Sequence, residues 1–314
     1  MWILKVLLMR KQEIKKKFEW IQFEKNSCRY DAFLTVFCLA LLNKDPIFFT
    51  PKQEFKKEKL SYVNPYHFLY FISQKINKRN FNSRFELWKY FNQPIHPSIS
   101  GATKVALDLE GIGQFGSVSV LVALLNHISK MKFYYLLGNK CENCEFHKVQ
   151  TKTFRVPIVF EEINANSLQG CFDKSLERKY ELHCFKCIKK NLSQQYLLLN
   201  CPDYIVLYLE TENGNINFKG GEFHFDESLI ITYLGATPTQ RLKVKYKMIA
   251  TINYPYLYHF NSSVKDPKIG RENLNGWYLH DSKEDEGKLI PRKGFYEIIK
   301  EKLFVFFYKL DLDY

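Results

Sequence analysis

Two Cys-x-x-Cys pairs constrain this chain more than any other feature: Cys141-Glu142-Asn143-Cys144 and Cys184-Phe185-Lys186-Cys187. Two intervening residues let both thiolates of a pair approach one cation from a single turn. Two such turns complete a tetrahedral sulfur set, which suits zinc. The bland alternative is a group of unpaired buried cysteines, which leaves the doubled spacing without a cause. His147 and His183 flank the pairs and are alternative ligands for one position, although outer-layer or surface roles are simpler. A site filled by four protein ligands has no open position, so its metal would be structural. The stretch between the pairs is longer than in a compact zinc ribbon. It predicts two β-hairpins pinned together at their ends.

With 314 residues the chain can bury the core of one large domain or two ordinary ones. Its apolar content is that of a folded protein. The remaining cysteines are Cys28, Cys38, Cys171 and Cys201. Eight cysteines in a small secreted chain would suggest disulfides, but the N-terminus makes a poor leader. Met1 to Met9 is apolar but short and broken by Lys5, and Arg10, Lys11, Lys15, Lys16 and Lys17 follow where small residues would be needed. Leu303 to Phe307, the nearest candidate for a membrane span, is far too short. The expectation is an intracellular protein of cytoplasm or nucleus, with no membrane span. The formal charge of +13 raises the question of an anionic partner. The lysines are scattered instead of being gathered on one helix, so a solvated surface is expected and a nucleic-acid partner is disfavoured.

Residues 28–42 carry Ala32, Phe33, Val36, Phe37, Ala40 and Leu41 at helical spacing, which predicts a helix with one apolar face. Residues 64–77, 82–91 and 114–130 read as further helices, and Ile95 to Ile99 as a loop between Pro94 and Pro97. After about residue 131 the pattern changes to short β-prone runs at 132–137, 154–160, 203–209, 244–252, 257–264 and 303–309. Asn213-Gly214, Gly220-Gly221 and Asn275-Gly276 mark turns among them. Helices first and strands afterwards predict an α+β architecture, a helical lobe beside an antiparallel sheet lobe.

Three separate residues carry candidate chemistry. Cys28 opens the first helical pattern in Asn26-Ser27-Cys28, and a helix N-terminus lowers a thiol's pKa and offers free N–H groups to an oxyanion. Taken alone, a cysteine there is more often a packing residue. His259 lies in a strand-like run, and Asp281 follows in Gly276-Trp277-Tyr278-Leu279-His280-Asp281. Neighbouring antiparallel strands would let that carboxylate orient the imidazole. A lone strand histidine is usually just a satisfied polar residue, so the three gain weight only together.

Their order and surroundings resemble the ubiquitin-specific protease family along most of the chain. Asn26-Ser27-Cys28-Arg29-Tyr30-Asp31 is similar to its cysteine box, and Gln114 to Leu121, with Leu124-Leu125, to a degenerate glutamine-rich box. The paired Cys-x-x-Cys turns resemble its zinc-bearing fingers, and Pro202 to Leu209 the palm strand after them. Tyr258-His259-Phe260 stands where the family has Gly-His-Tyr, Trp277 to Ser282 looks like its acid box, and Phe304 to Lys309 resembles its closing strand. The resemblance implies a papain-like cysteine protease fold with helical thumb, zinc-pinned fingers and antiparallel sheet palm. It would comprise an extension over 1–18 and a catalytic domain over 19–312, with the thumb about 19–131 and fingers and palm about 132–312. It also implies a thiol-dependent isopeptidase acting on ubiquitin conjugates. Cys28, His259 and Asp281 would be the catalytic triad, and Cys141, Cys144, Cys184 and Cys187 would hold a structural zinc ion. No organic cofactor is implied.

The departures from the family pattern are specific. Phe23 replaces the asparagine that donates to the oxyanion, which makes Asn26 the candidate donor, and Lys25 and Tyr258 each replace a glycine. Gly116 and Ser119 replace the two carboxylates that meet the arginines of ubiquitin's tail. Asp108, Glu110, Glu161 or Glu162 would have to take over that role. Cys28-x-x-Asp31 resembles the SUMO-directed branch. The alternatives are therefore an isopeptidase for SUMO or another ubiquitin-like modifier, and an inactive ubiquitin-binding relative.

Overall fold

The β-prone stretches beyond residue 131 pair mainly as antiparallel strands. The computed structural model describes residues 28–42, 125, 131, 133–141, 147–154, 158–160, 166–184, 186–188, 190–209, 223–237, 240–256, 259–269, 272–284, 287–298 and 303–312. The helices expected over 64–77 and 82–91, all of 114–130 but Leu125, and most of the expected thumb lie outside them. They form two compact units. The first holds those before residue 128 and those from 249 to 304, and the second holds 128–248 and 305–314.

In the first unit a helix, α1 (Cys28–Val36), continues into a π-helical stretch (Phe37–Leu42). All nine residues of α1 are buried. This is more than the one apolar face that periodicity predicts. Arg29, Asp31 and Thr35 sit on the nominally polar side yet are also covered. A helix enclosed all round must give its polar groups partners inside the protein. The Arg29 guanidinium lies over the Tyr30 ring, 4.8 Å from its centroid. Thr35 Oγ1 is 3.2 Å from His280 Nδ1.

α1 packs against strand β9 (His259–Lys265). That strand pairs with the C-terminal half of β8 (Arg241–Tyr256), placing Thr251 opposite Ser263 and Asn253 opposite Asn261. After β9 the short strands β10 (Lys268–Ile269) and β11 (Glu272–Asn273) pair with each other, and on its other side β9 pairs with β12 (Trp277–His280), which pairs in turn with β13 (Leu289–Arg292). The turn before β12 carries Gly276 at φ +92°, a left-handed conformation that favours glycine. Side chains on β9 are buried from His259 to Val264, an unusual run for a strand so polar. Its polar groups bond across the ladder. Asn253 Nδ2 donates to Asn261 Oδ1 at 2.8 Å and to Ser263 Oγ at 3.1 Å, and Thr251 Oγ1 donates to Asn253 Oδ1 at 2.6 Å. Strand alternation gives His259 the same face as Asn261 and Ser263, so its strand is pinned two residues away.

The second unit contains a four-stranded sheet in the order β2-β1-β5-β4: β1 (Phe133–Cys141), β2 (His147–Phe154), β4 (Glu177–His183) and β5 (Lys190–Leu198). It consists of two antiparallel hairpins joined along β1 and β5. Their ends carry Cys141 and the turn with Cys184 and Cys187. The unit also holds β3 (Ile158–Phe160), β6 (Tyr204–Leu209), β7 (Ser228–Leu234), the N-terminal half of β8, and most of β14 (Leu303–Leu310). β6 pairs antiparallel with β14 and parallel with β3, and β7 pairs with β8. Two buried phenols find acceptors: Tyr246 Oη donates to Pro202 O at 2.7 Å and Tyr308 Oη to Asp226 O at 2.6 Å.

Helix α2 (Leu168–Ser175) is absent from the sequence-based expectation. Its signal was present: Ser167 Oγ caps it by accepting from Gly170 N at 3.0 Å, and Leu168, Cys171 and Phe172 form its buried side. Its Gln169 side chain covers the backbone of β7. Gln169 Oε1 accepts from Ile230 N at 2.8 Å and Nε2 donates to Ile230 O at 2.9 Å. The amide thus stands where another strand could pair, which protects the edge.

Candidate active site and candidate metal centre

The first unit brings Cys28, His259 and Asp281 together from three elements. Cys28 is the first described residue of α1, His259 begins β9, and Asp281 follows β12. All three are buried, with no more than 5% of their surface exposed. His259 Nε2 lies 2.8 Å from Asp281 Oδ2. The imidazole also hydrogen-bonds the Cys28 thiol. With Nε2 engaged by the carboxylate, Nδ1 is the nitrogen left for sulfur. The register explains why residues so far apart in sequence meet. β12 pairs with β9, so the residue after His280 falls near the start of β9, while α1 packs on the same strand.

Asp281 is held at both oxygens. Oδ1 accepts from the backbone N–H of Lys283 at 2.9 Å and of Glu284 at 3.2 Å. These bonds form a turn in which the carboxylate is tied to its own backbone. Burial pushes the carboxyl upward, but the bond and charge of His259, with those two N–H groups, hold it below its ordinary value. Burial likewise favours neutral His259. Hydrogen bonds to Asp281 and Cys28 and the charges of both outweigh burial and raise the imidazole from 6.5 to about 9. The site can thus keep an imidazolium beside sulfur at neutral pH, the condition that activates a thiol.

Sequence reasoning missed the Thr35–His280 contact, which ties α1 to the strand that carries Asp281. No local motif announces a pair 245 positions apart. The turn after Asp281 was more accessible, because an Asp side chain readily accepts from the backbone two residues on. Asn26, Phe23, Lys25, Gly116, Ser119 and Tyr258 lie outside the described residues, as do Asp108, Glu110, Glu161 and Glu162.

The second unit gathers three of the four predicted metal ligands. The Sγ atoms of Cys141, Cys184 and Cys187 lie within 4.8 Å of one another. Cys141 Sγ and Cys187 Sγ are 3.6 Å apart and not disulfide-bonded. Cys144 lies outside the described residues. Lys186 N donates to Cys184 Sγ at 3.4 Å, and Ile188 N to Cys184 O at 2.8 Å, closing the turn. Ile188 adopts φ +60°, a strained value for a β-branched residue, at the position that follows the second cysteine. Three convergent thiols without a carboxylate or imidazole described among them form a soft donor set able to hold a metal.

No protein-family model and no curated protein matches this sequence. Solved structures do. The SAGA DUB module containing Ubp8, bound to monoubiquitin, aligns at TM-score 0.61 with 14% identity, over 93% of this chain and 68% of that one. The fold is that of a ubiquitin-specific protease domain. A second structure of the yeast SAGA DUB module aligns at TM-score 0.56 with 15% identity, over 93% of this chain and 68% of that one. The Saccharomyces cerevisiae Pan2 pseudoubiquitin hydrolase-RNA exonuclease module aligns at TM-score 0.60 with 10% identity, over 89% of this chain and 52% of that one. A ubiquitin-specific protease fold thus occurs in a DUB module and in a pseudoubiquitin hydrolase alike. At these identities the likeness carries the fold and leaves activity to the side chains. No described helix is long and apolar enough to cross a membrane.

Proposed function

We propose that this chain is an intracellular thiol-dependent isopeptidase that removes ubiquitin from protein conjugates. The observation that carries the reading is the buried chain of hydrogen bonds from Cys28 through His259 to Asp281 within a ubiquitin-specific protease fold. His259 takes the thiol proton at Nδ1, while Asp281 holds Nε2 and stabilises the cation. The thiolate attacks the carbonyl carbon of the modifier's C-terminal glycine. Backbone N–H of Cys28 and the Asn26 side chain are the proposed donors to the oxyanion. The tetrahedral species collapses as His259 returns its proton to the departing lysine amine, leaving a thioester. Water then attacks the thioester, giving up a proton to His259, and the carboxylate and free thiol are regenerated.

Cys141, Cys184 and Cys187, joined by Cys144, are the proposed ligands of one zinc ion. It would pin the two hairpins and take no part in the reaction. The proposed domain layout is the expected one, with a thumb before about residue 131 and fingers and palm after it.

A second reading rests on Asp31, which is fully buried in the Cys28-x-x-Asp31 box, and on the loss of both carboxylates at Gly116 and Ser119. It makes a SUMO-type modifier the substrate. A charge-assisted contact to a tail arginine is worth about 1.5–3 kcal/mol, so two lost contacts matter. Ubiquitin remains the first choice because the hairpin pair that resembles the fingers is the family's ubiquitin-gripping device.

The test combines a ubiquitin vinyl-sulfone probe with equal concentrations of ubiquitin and SUMO fluorogenic substrates. Probe labelling lost in Cys28→Ala and greater efficiency on ubiquitin are expected. Greater efficiency on SUMO selects the second reading. Tight ubiquitin binding without labelling or turnover would leave an inactive relative, in keeping with Phe23 at the oxyanion position.

A further inference from the structure

α1 makes a second polar contact two turns beyond the thiol. Thr35 Oγ1 lies 3.2 Å from His280 Nδ1, and both residues are buried. Cys28 and Thr35 stand at i and i+7, so they lie on one stripe of the helix. Regular α-helix spans both, and the π-helical stretch begins only at Phe37. At the other end of the contact, His280 is the last residue of β12 and precedes Asp281. His280 stands opposite Ser262 of β9, and that pair ends the ladder between the two strands. Beyond it Asp281 is held by its own turn and by His259. The Thr35–His280 contact therefore joins the helix that carries the thiol to the residue next to the acid, through groups outside the triad.

We propose that Thr35 and His280 are positioning residues that set the distance and rotation of Cys28 against His259 and Asp281. The inference rests on the hydrolytic reading of that triad. Much of the packing of α1 is apolar, with Phe33, Leu34 and Val36 all buried. Apolar burial is non-directional, so it holds a helix down without fixing how far it turns or slides. A hydrogen bond between buried groups fixes both, because turning the helix breaks the pair where water cannot replace it. Thr35 is β-branched, so the helix backbone itself restricts where its hydroxyl points. About 10 Å of rigid helix separates Thr35 from Cys28, and a rotation at one is carried to the other. A shift of about 1 Å between reacting groups can cost on the order of 100-fold in rate. Ser262 differs from Thr35 in one respect. It is buried opposite His280, yet its Oγ makes no hydrogen bond among the described residues and so does not bridge to α1.

The experiment compares Thr35→Val, Thr35→Ser, His280→Leu and the Thr35→Val, His280→Leu double variant in the full chain, with Ser262→Ala as a control. It follows iodoacetamide labelling of Cys28 at neutral pH and steady-state hydrolysis of a ubiquitin fluorogenic substrate. Thr35→Val keeps the shape and loses the hydroxyl. It should lower kcat about tenfold, change KM by less than about twofold and slow Cys28 labelling by a similar factor to kcat. Thr35→Ser keeps the hydroxyl and should recover most of both losses. The double variant should be no slower than the slower single variant, since the two groups act through one contact. Ser262→Ala should react as wild type. The proposal is overturned if Thr35→Val matches wild type, if Thr35→Ser is as slow as Thr35→Val, if the two single losses multiply in the double variant, or if Ser262→Ala is slowed as much as Thr35→Val. Should His280→Leu fail to fold, the valine and serine variants at Thr35 still decide. Labelling needs no ubiquitin, which separates the two readings. A wild-type Cys28 that labels no faster than Cys38 or Cys201 overturns the triad and the positioning pair with it, whereas fast labelling unaffected by Thr35→Val overturns the positioning alone.

Discussion

Cys28 and Cys184 are the same buried residue in opposite surroundings. Cys28 faces an imidazole held by a carboxylate, so a base and a counter-charge lie beside one thiol. Cys184 faces two other thiols and the N–H of Lys186, so several soft donors converge on one point. The first arrangement suits proton transfer and nucleophilic attack, and the second suits metal coordination. Cys38, Cys171 and Cys201 complete the contrast. Burial pushes Cys38 up to about 12 and Cys171 to about 11, and it raises Cys201 to about 12 despite the neighbouring Tyr246 hydroxyl, which acts in the opposite direction. A cysteine's chemistry is thus set by its neighbours, and seclusion alone makes it inert.

The comparison can be broken most sharply at Cys28. Cys28→Ala should lower hydrolysis of a ubiquitin fluorogenic substrate by on the order of 10⁴-fold while ubiquitin binding persists. Cys184→Ser should leave Cys28 labelling by the vinyl-sulfone probe in place. If it abolishes labelling as completely as Cys28→Ala does, the two cysteine sites are not independent and the contrast fails.

Next in size is metal loss. Native chain should contain one zinc ion, and Cys184→Ser or Cys141→Ser should lose it, with several kcal/mol of stability lost from the hairpin pair. Metal analysis and hydrogen exchange of residues 133–198 measure both effects. Metal-free native protein with unoxidised thiols would refute the coordination reading.

A loss no larger than that at Cys28 is expected for Asp281→Asn, because the amide oxygen stays with the Lys283 and Glu284 N–H groups and the NH2 turns towards His259 Nε2, which removes the charge and favours the wrong imidazole tautomer. We expect kcat/KM to fall by up to about 10⁴-fold, less than for His259→Ala. An equal loss for both would mean that the charge matters more than orientation. Alkylation should rank the same way, with Cys28 faster than Cys38, Cys171 and Cys201; a faster Cys201 would overturn the ranking.

The most subtle prediction concerns pH. His259 is raised from 6.5 to about 9, so its contribution to stability should be complete below about 6.5 and lost as pH rises towards 9. Asp281 is held below its ordinary 3.8, so its contribution is present above about pH 4 and lost on acidification. The stability difference between wild type and His259→Gln should therefore shrink between about pH 6.5 and 9. A difference that is flat across that range would separate His259 from its partners. Activity should fall on the alkaline side near pH 9 as the imidazolium is lost.

Much was legible without coordinates. The turn at Asn275-Gly276 was marked by residues whose conformational preferences are local, and Gly276 indeed takes a positive φ. The strands at 203–209 and 303–309 were visible as apolar runs, because both are buried at the centre of their unit. β4 and β5 were not visible as such runs, since Glu-Arg-Lys-Tyr-Glu-Leu-His and Lys-Asn-Leu-Ser-Gln-Gln-Tyr-Leu-Leu carry little β-prone patterning; only the paired cysteines pointed to a hairpin there. α2 was missed although its cap and apolar spacing were present, because it is short and follows a polar stretch.

The spacing of Cys184 and Cys187 determined that two thiols could share a cation, because that geometry is local to one turn. Residue types also singled out Cys28, His259 and Asp281 as candidates. Only the tertiary structure decided that β12 would lie against β9 and α1 upon it, which closes the distance from His259 to Asp281 to 2.8 Å. It likewise decided which cysteines are isolated by burial and that Thr35 meets His280. Contacts between residues hundreds of positions apart depend on packing and register, and neither is encoded in the neighbours of any one residue.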